Sequence, residues 1–165
     1  PDLFLNETRK LVIESLKNEG SPDGGKDGMD GSLLCFDFYN NVLECALAHN
    51  PIWIARTSAD STVELIEVKG DRFPIGKHDR DHEPFTLHTI SLQKGDVVYI
   101  LTDGFVDQFG GASGKKFKYK QLKELLLLVS KEPMQIQREM FNTVFENWRG
   151  DQEQVDDVTV VGVRI

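Results

Sequence analysis

The sequence predicts an α+β domain with two packed antiparallel β-sheets, a β-sandwich flanked by helices. Its 165 residues suffice for one domain with a hydrophobic core, so 1–165 is expected to be a single domain. Six short strand patterns separated by tight turns lie between residues 32 and 101, which favours antiparallel sheets over a βαβ array. Helical patterns precede these strands and separate them from one last strand.

The chain starts with a helical pattern at 3–17, in which Leu5, Val12 and Leu16 recur on one stripe. A polar, glycine-rich segment at 19–28 ends this pattern. We expect an amphipathic helix, followed by a loop that connects elements or lies near a site.

A β-hairpin is predicted next, with strands at 32–39 and 42–48 around a two-residue Asn-Asn turn. In that register the numbers of paired residues sum to 81. The only two cysteines, Cys35 and Cys45, would then project from opposite faces of the sheet. We therefore expect no disulfide, two small buried thiols and a reducing, cytoplasmic setting.

The second half of the chain adds further strands and two helices. The aromatic stripe of Phe141, Phe145 and Trp148 is expected to be core rather than a cofactor site. The last strand, at 158–165, is a continuous β-branched run, which is typical of a central strand covered on both faces. The remaining strands are predicted at 52–57, 63–68, 85–92 and 96–101, and the helices at 120–129 and from Pro133 to Gly150.

Composition excludes several classes of function. The 27 acidic and 19 basic residues give a formal charge of −8, which disfavours nucleic-acid binding. No run approaches the roughly 18 apolar residues of a membrane span, and no signal peptide is visible. Because the chain does not begin with Met, we expect it to be part of a longer protein, for which a membrane anchor upstream remains open.

Two acidic dipeptides stand at strand ends. Asp103-Gly104 follows one predicted strand, and Asp156-Asp157 precedes the last one. If these strands are antiparallel neighbours, Asp103 and Asp156 meet at one rim of the sheet. Hard cations such as Mg²⁺ and Mn²⁺ prefer such oxygen ligands, and Gly104 would let the backbone approach the ion. The alternative is an ordinary Asp-Gly turn and a solvated strand start.

Two other patterns resemble sites but fail on spacing. The segment 78–83 has two histidines at i,i+4 beside acids, without the helical context that gives such spacing meaning, so a solvated loop is expected. The segment 110–116 resembles a phosphate-binding loop, but three residues instead of four separate its glycines. It is interpreted as a flexible loop near the site, where Lys115 or Lys116 could meet a phosphoprotein.

A series of short segments carries a family resemblance. In order, they are DGMDGSL at 27–33, NP at 50–51, PIG at 74–76, GD at 95–96, TDGFVDQFGG at 102–111 and QVDDVTV at 154–160. The series resembles the bacterial stage II sporulation E-type phosphatases, a branch of the protein phosphatase 2C superfamily. It extends over nearly the whole chain.

The resemblance implies a site with two Mn²⁺ or Mg²⁺ ions, at which a metal-activated water hydrolyses phosphoserine or phosphothreonine. Asp103 and Asp156 match metal-ligand positions of the family, with Gly104 beside the first. Asp157 is interpreted as orienting the turn, although an exchange of roles with Asp156 remains open. Asp27 is either an additional metal ligand or an ordinary loop aspartate.

The resemblance also marks a departure. The family motif of the type Gly-Asp-x-x-Gly-His-Gly, which supplies an aspartate bridging both metals, does not occur in this sequence. We therefore expect the chain to be the C-terminal part of a phosphatase domain. By itself, the chain is expected to bind metal weakly and to hydrolyse substrate slowly. A phosphorylated regulatory protein is the expected substrate, with a sensor domain upstream. The alternative is a non-catalytic, phosphatase-like binding module.

Overall fold

The fold is that of an α+β protein with antiparallel sheets and helices, as the sequence predicts. The computed structural model describes residues 1–17 and 27–165. The predicted glycine-rich loop at 19–28 lies almost wholly outside these residues. The chain divides into two compact units, one formed by Pro1–Pro51 with Val68–Gln93 and the other by Ile52–Glu67 with Lys94–Ile165. A single domain over 1–165 stays a prediction.

The first unit combines one long helix with small sheets. Helix α1 (Asp2–Lys17) confirms the first helical pattern, and its Leu5 is buried against Ala46 and Phe73. The short strands β1 and β6 pair with each other, while β2, β3 and β7 form an antiparallel sheet in the order β2-β3-β7. These strands are β1 (Gly28–Met29), β2 (Gly31–Asp37), β3 (Val42–Ala48), β6 (Ile75–Gly76) and β7 (His88–Ser91).

The β2–β3 hairpin exists, but its predicted register is wrong by two residues. Paired residues sum to 79, because Asp37 pairs with Val42 and the turn has four residues instead of two. The Asp37 carboxylate accepts hydrogen bonds from the backbone N–H groups of Tyr39 and Asn40, at 3.0 and 2.9 Å, and so ends the strand early. These hydrogen bonds also lower the pKa of Asp37.

A shift of two residues preserves the faces of the sheet, so the two cysteines do project from opposite sides, and both are free. Cys45 is buried, and burial raises the pKa of its thiol to about 11. Cys35 is exposed, so the prediction that both thiols are buried is wrong for this residue. Cys35 lies on strand β2, which is the edge strand of this sheet among the described residues.

The predicted solvated loop at 78–83 is only partly solvated. The His78 ring stacks on Phe73, with ring centroids 4.8 Å apart, and its Nε2 atom is buried. The guanidinium of Arg9, on α1, lies over Phe85 and donates a hydrogen bond to the Glu83 carbonyl at 2.6 Å. The loop is therefore held against α1 by stacking and a buried cation, which its polar composition did not reveal.

The second unit contains a four-stranded sheet in the order β11-β8-β4-β5. The predictions for β4 and β5 are confirmed with the same bounds, whereas β7 and β8 are shorter than predicted. Strand β8 lies inside the sheet and is almost fully buried. The strands are β4 (Ile52–Thr57), β5 (Val63–Val68), β8 (Val97–Leu101) and β11 (Val160–Arg164).

Helices of this unit pack on an aromatic core. Phe105 contacts Phe117, Phe141 and Phe145 with ring centroids 5.1 to 6.1 Å apart, which confirms the aromatic stripe as core. The elements between β8 and β11 are α2 (Gly104–Asp107), β9 (Phe109–Gly110), β10 (Lys115–Lys116), α3 (Lys118–Val129) and α4 (Met134–Arg149). None of the helices in the described part of the chain is long and apolar enough to cross a bilayer.

Strand β11 is not the central strand that its β-branched composition predicts. Within the described residues it pairs only with β8 and lies at the edge of the sheet, and Val161 is 43% exposed. A continuous apolar run indicates burial, but it does not determine how many strands lie alongside.

Candidate functional site

The end of β8 and the start of β11 lie side by side. The two strands are antiparallel, with Leu101 opposite Val160 and Val97 opposite Arg164. One more hydrogen bond, from the Thr102 N–H to the Thr159 carbonyl at 3.1 Å, continues the ladder beyond the strands. The neighbour relation on which the predicted carboxylate site depends is therefore present.

The Thr102 side chain reinforces this junction. Its hydroxyl donates to the Asp157 carbonyl at 3.0 Å and accepts a hydrogen bond from the Thr159 N–H at 2.9 Å. A hydroxyl can do both because it carries one donor and two acceptor positions. The segment that follows β8 is thus bound to the residues on either side of Val158.

Gly104 allows the closest approach between the two segments. A Cβ atom at this position would clash with the Asp157 carbonyl and lie 3.3 Å from a Val158 methyl group. The backbone at Gly104 does not have a positive φ, so glycine is needed here for space rather than for a special turn. Its predicted place beside a metal stays a prediction.

The Asp103 carboxylate is exposed and available to a ligand. Asp103 occupies the N-cap position of α2 without a capping hydrogen bond from its side chain. In residues 1–17 and 27–165 the carboxylate makes no hydrogen bond or ion pair that would compete with a cation.

The contacts of Asp156 and Asp157 differ from the expectation that Asp157 orients the turn. One oxygen of the Asp156 carboxylate, Oδ1, accepts the Asp157 N–H at 2.7 Å, so the Asp156 side chain itself holds the turn. Asp157 contacts Thr102 through its backbone carbonyl. Both side chains are exposed, and which of them binds a metal stays a prediction.

The remaining candidate residues are distributed over both units. Asp27 precedes β1 in the first unit, whereas Asp103 and Asp156 belong to the second. The Lys116 ammonium pairs with the Asp107 carboxylate at 2.9 Å, and Lys115 is exposed. Both lysines lie on β10, which pairs with β9, so the segment interpreted as a flexible loop is a short hairpin.

The donor set fits part of a site for a hard cation. Aspartate oxygens are the ligands that Mg²⁺ and Mn²⁺ prefer, and each ion takes about six oxygens. Among the described residues, no group of three or more His, Cys, Asp or Glu side chains is arranged to hold a metal. Asp103 and Asp156 would therefore supply only part of a coordination shell.

Sequence reasoning gave no role to two polar residues at this junction, Thr102 and Gln108. Thr102 bridges the segments as described, and Gln108 is fully buried. Gln108 directly follows Asp107 and precedes Phe109, and this mixed polar and apolar stretch does not mark it as buried. Nothing in its spacing indicates which groups it contacts.

Comparison with solved structures defines the class of fold. The SiaA-PP2C domain of Pseudomonas aeruginosa is similar at a TM-score of 0.84 and 26% identity; this chain is covered completely and spans 61% of that chain. The PP2C phosphatase domain of SpoIIE from Bacillus subtilis, with a fragment of its regulatory domain, follows at 0.64 and 18%, with coverage of 96% and 49%. The RsbU and RsbW domains of a Mycobacterium tuberculosis protein match at 0.61 and 16%, with coverage of 98% and 46%. The fold is that of PP2C-like phosphatase domains.

The family model of stage II sporulation protein E matches residues 1–165, and the chain belongs to this family. Among curated proteins, none matches the sequence.

Proposed function

We propose that this chain is the C-terminal part of a metal-dependent serine/threonine phosphatase domain that acts on a bacterial signalling protein. The junction of Thr102 with Asp157 carries the proposal, because it fixes the segments that bear Asp103 and Asp156 against each other. Two carboxylates brought to one rim repel each other unless a cation neutralises them.

Asp103 and Asp156 are the residues that would hold Mn²⁺ or Mg²⁺, with Asp157 as the alternative to Asp156. Asp27 as an additional ligand stays a prediction from the sequence. When bound, the ions supply Lewis-acid activation of a water nucleophile and neutralise charge on the phosphoryl group. The protein's own contribution is positional: Thr102 fixes the backbone of residues 157–159, and Gly104 allows them to approach α2.

The substrate is proposed to be a phosphorylated regulatory protein. Lys115 is exposed on the hairpin that follows α2 and could contact a phosphate, whereas Lys116 is already engaged by Asp107. A net charge of −8 disfavours nucleic acid as a ligand.

Hydrolysis of p-nitrophenyl phosphate by the full-length gene product, with and without Mn²⁺, tests this function. We expect Mn²⁺-dependent turnover that falls at least about 100-fold in Asp103→Asn, because losing a ligand removes both binding and charge stabilisation. Glu124→Gln, an equivalent change at an exposed carboxylate on α3, serves as the matched control and should retain the rate. A wild-type rate in Asp103→Asn would refute the site.

A second candidate is a phosphatase-like binding module without catalysis. It is favoured by one observation, the lack of a three-residue metal-holding group among the described residues. We expect residues 1–165 by themselves to turn over slowly. If the full-length gene product also shows no Mn²⁺-dependent hydrolysis but binds a phosphoprotein, the binding module is the correct function.

A further inference from the structure

Gln108 is a fully buried polar residue at the end of α2. Its backbone N–H donates to the Gly104 carbonyl at 3.1 Å, which closes the short helix. Its backbone carbonyl accepts two hydrogen bonds, from the Phe117 N–H and from the Trp148 indole N–H, each at 3.0 Å. The main chain at Gln108 is thereby held by α2, by the start of α3 and by α4.

The side-chain amide of Gln108 extends toward the segment that precedes β11. Its Nε2 donates to the Glu153 carbonyl at 2.9 Å and to the Phe109 carbonyl at 3.0 Å. Its Oε1 accepts the Val155 N–H at 3.4 Å, a longer contact. One buried amide therefore joins the end of α2 to residues 153–155.

These contacts place Asp156 between two attachment points. Residues 153–155 are held by Gln108, and Asp157 is held by Thr102. Both holding residues belong to the segment that carries Asp103. An aspartate in an irregular, exposed segment would otherwise sample many positions, at a cost in affinity for any ion that needs it in one place.

We infer that Gln108 is a positioning residue, which fixes the Asp156 carboxylate relative to Asp103 for binding a divalent cation. The inference rests on the proposed function and adds a residue that does not touch the ion. Groups that support metal ligands in this way commonly change metal affinity when they are substituted.

A second buried glutamine in the same unit provides a matched control. Gln137, on α4, is 2% exposed, accepts the Tyr99 hydroxyl at 2.7 Å and donates to the Glu132 carbonyl at 2.9 Å. Shortening either side chain to Asn breaks buried hydrogen bonds, so both variants should be less stable. Only the change at Gln108 should affect metal binding.

The test is Mn²⁺ affinity, measured by electron paramagnetic resonance of the free ion, in the full-length gene product and its Gln108→Asn and Gln137→Asn variants. We expect the dissociation constant to rise about tenfold or more in Gln108→Asn and less than about twofold in Gln137→Asn. Equal Mn²⁺ affinities in the two variants would refute the positioning role of Gln108 and leave the proposed function standing. If the unmodified protein binds no Mn²⁺, the proposed function fails and the inference fails with it.

Amide hydrogen exchange of the unmodified protein tests the same contact without relying on a folded variant. Val155 is 52% exposed, yet its N–H is bonded to Gln108. We expect the Val155 amide to exchange at least about tenfold more slowly than the neighbouring Gln154 amide. Equal exchange would mean that the contact does not persist in solution, and the positioning role would be wrong.

Discussion

The Thr102 hydroxyl bridges two backbone groups of the segment before β11, the Asp157 carbonyl and the Thr159 N–H. Removing it with Thr102→Val keeps the shape of the side chain but leaves both groups to water. We expect a loss of about 1–2 kcal/mol in the free energy of unfolding, measured by urea denaturation, and a weaker Mn²⁺ affinity. Thr102→Ser keeps the hydroxyl and should resemble the wild type in affinity; if Val and Ser behaved alike, the bridge would have no role.

Gly104→Ala tests the close approach of the two segments. The added methyl group meets the Asp157 backbone carbonyl, which cannot move without disturbing the junction. We expect a destabilisation of about 1–3 kcal/mol in urea unfolding and a loss of metal-dependent turnover.

Gly31→Ala is the control for that substitution. There the nearest atom to an added Cβ is the end of the Ile75 side chain, at 3.2 Å, which can rotate away. Gly31→Ala should therefore lower the free energy of unfolding clearly less than Gly104→Ala does. Equal costs at the two glycines would contradict the account of Gly104.

Asp96 shows that not every aspartate near β8 is a candidate ligand. It is 1% exposed and accepts hydrogen bonds from Arg56 at 2.7 and 3.0 Å, which raise the pKa of that guanidinium. Asp96→Asn leaves the Arg56 guanidinium without its buried counter-ion, and we expect the free energy of unfolding to fall by about 3 kcal/mol. Asp103→Asn, at an exposed carboxylate, should change stability by less than about 0.5 kcal/mol. If urea denaturation showed a larger loss of stability for Asp103→Asn than for Asp96→Asn, the structural role of Asp96 and the ligand role of Asp103 would be misassigned.

His78 should make the first unit less stable in mild acid. Burial, followed by the charge of Arg9, lowers the pKa of His78 below its ordinary value of 6.5, while Asp81 acts in the opposite direction. A lowered folded-state pKa means that the unfolded chain takes up the proton first. Stability is therefore lost as the pH falls through about 6.5 toward the folded-state pKa.

Urea midpoints at pH 8, 7, 6 and 5 check this dependence against His78→Phe, which keeps a ring to stack on Phe73 but cannot titrate. The wild type should lose more stability than the variant between pH 7 and 5. Parallel curves would show that other groups carry the acid sensitivity.

Much of the fold is predictable because local sequence patterns indicate the individual helices and strands. Strands β4 and β5 have strong β-branched patterns bounded by turns, and their ends were predicted to the residue. The register of the β2–β3 hairpin is not predictable in this way, because hydrogen bonds to the Asp37 side chain set the turn, rather than the Asn-Asn pair. The edge position of β11 depends on neighbours far away in sequence, which its own residues cannot reveal.

The candidate site was predictable only in part for the same reason. Asp103 and Asp156 stand out as acids at strand ends, and their segments do meet across the β8–β11 pair. The bridging hydroxyl of Thr102 and the buried amide of Gln108 act through partners 45 to 57 residues away. Polar residues of these types have no periodic signature, so only the tertiary structure identifies their contacts.

Anomalous X-ray diffraction from crystals of the full-length gene product grown with Mn²⁺ would locate the bound ion. We expect a manganese peak within coordination distance of oxygens from both Asp103 and Asp156. A peak bound elsewhere, with these two carboxylates turned away from each other and from the ion, would contradict this expectation.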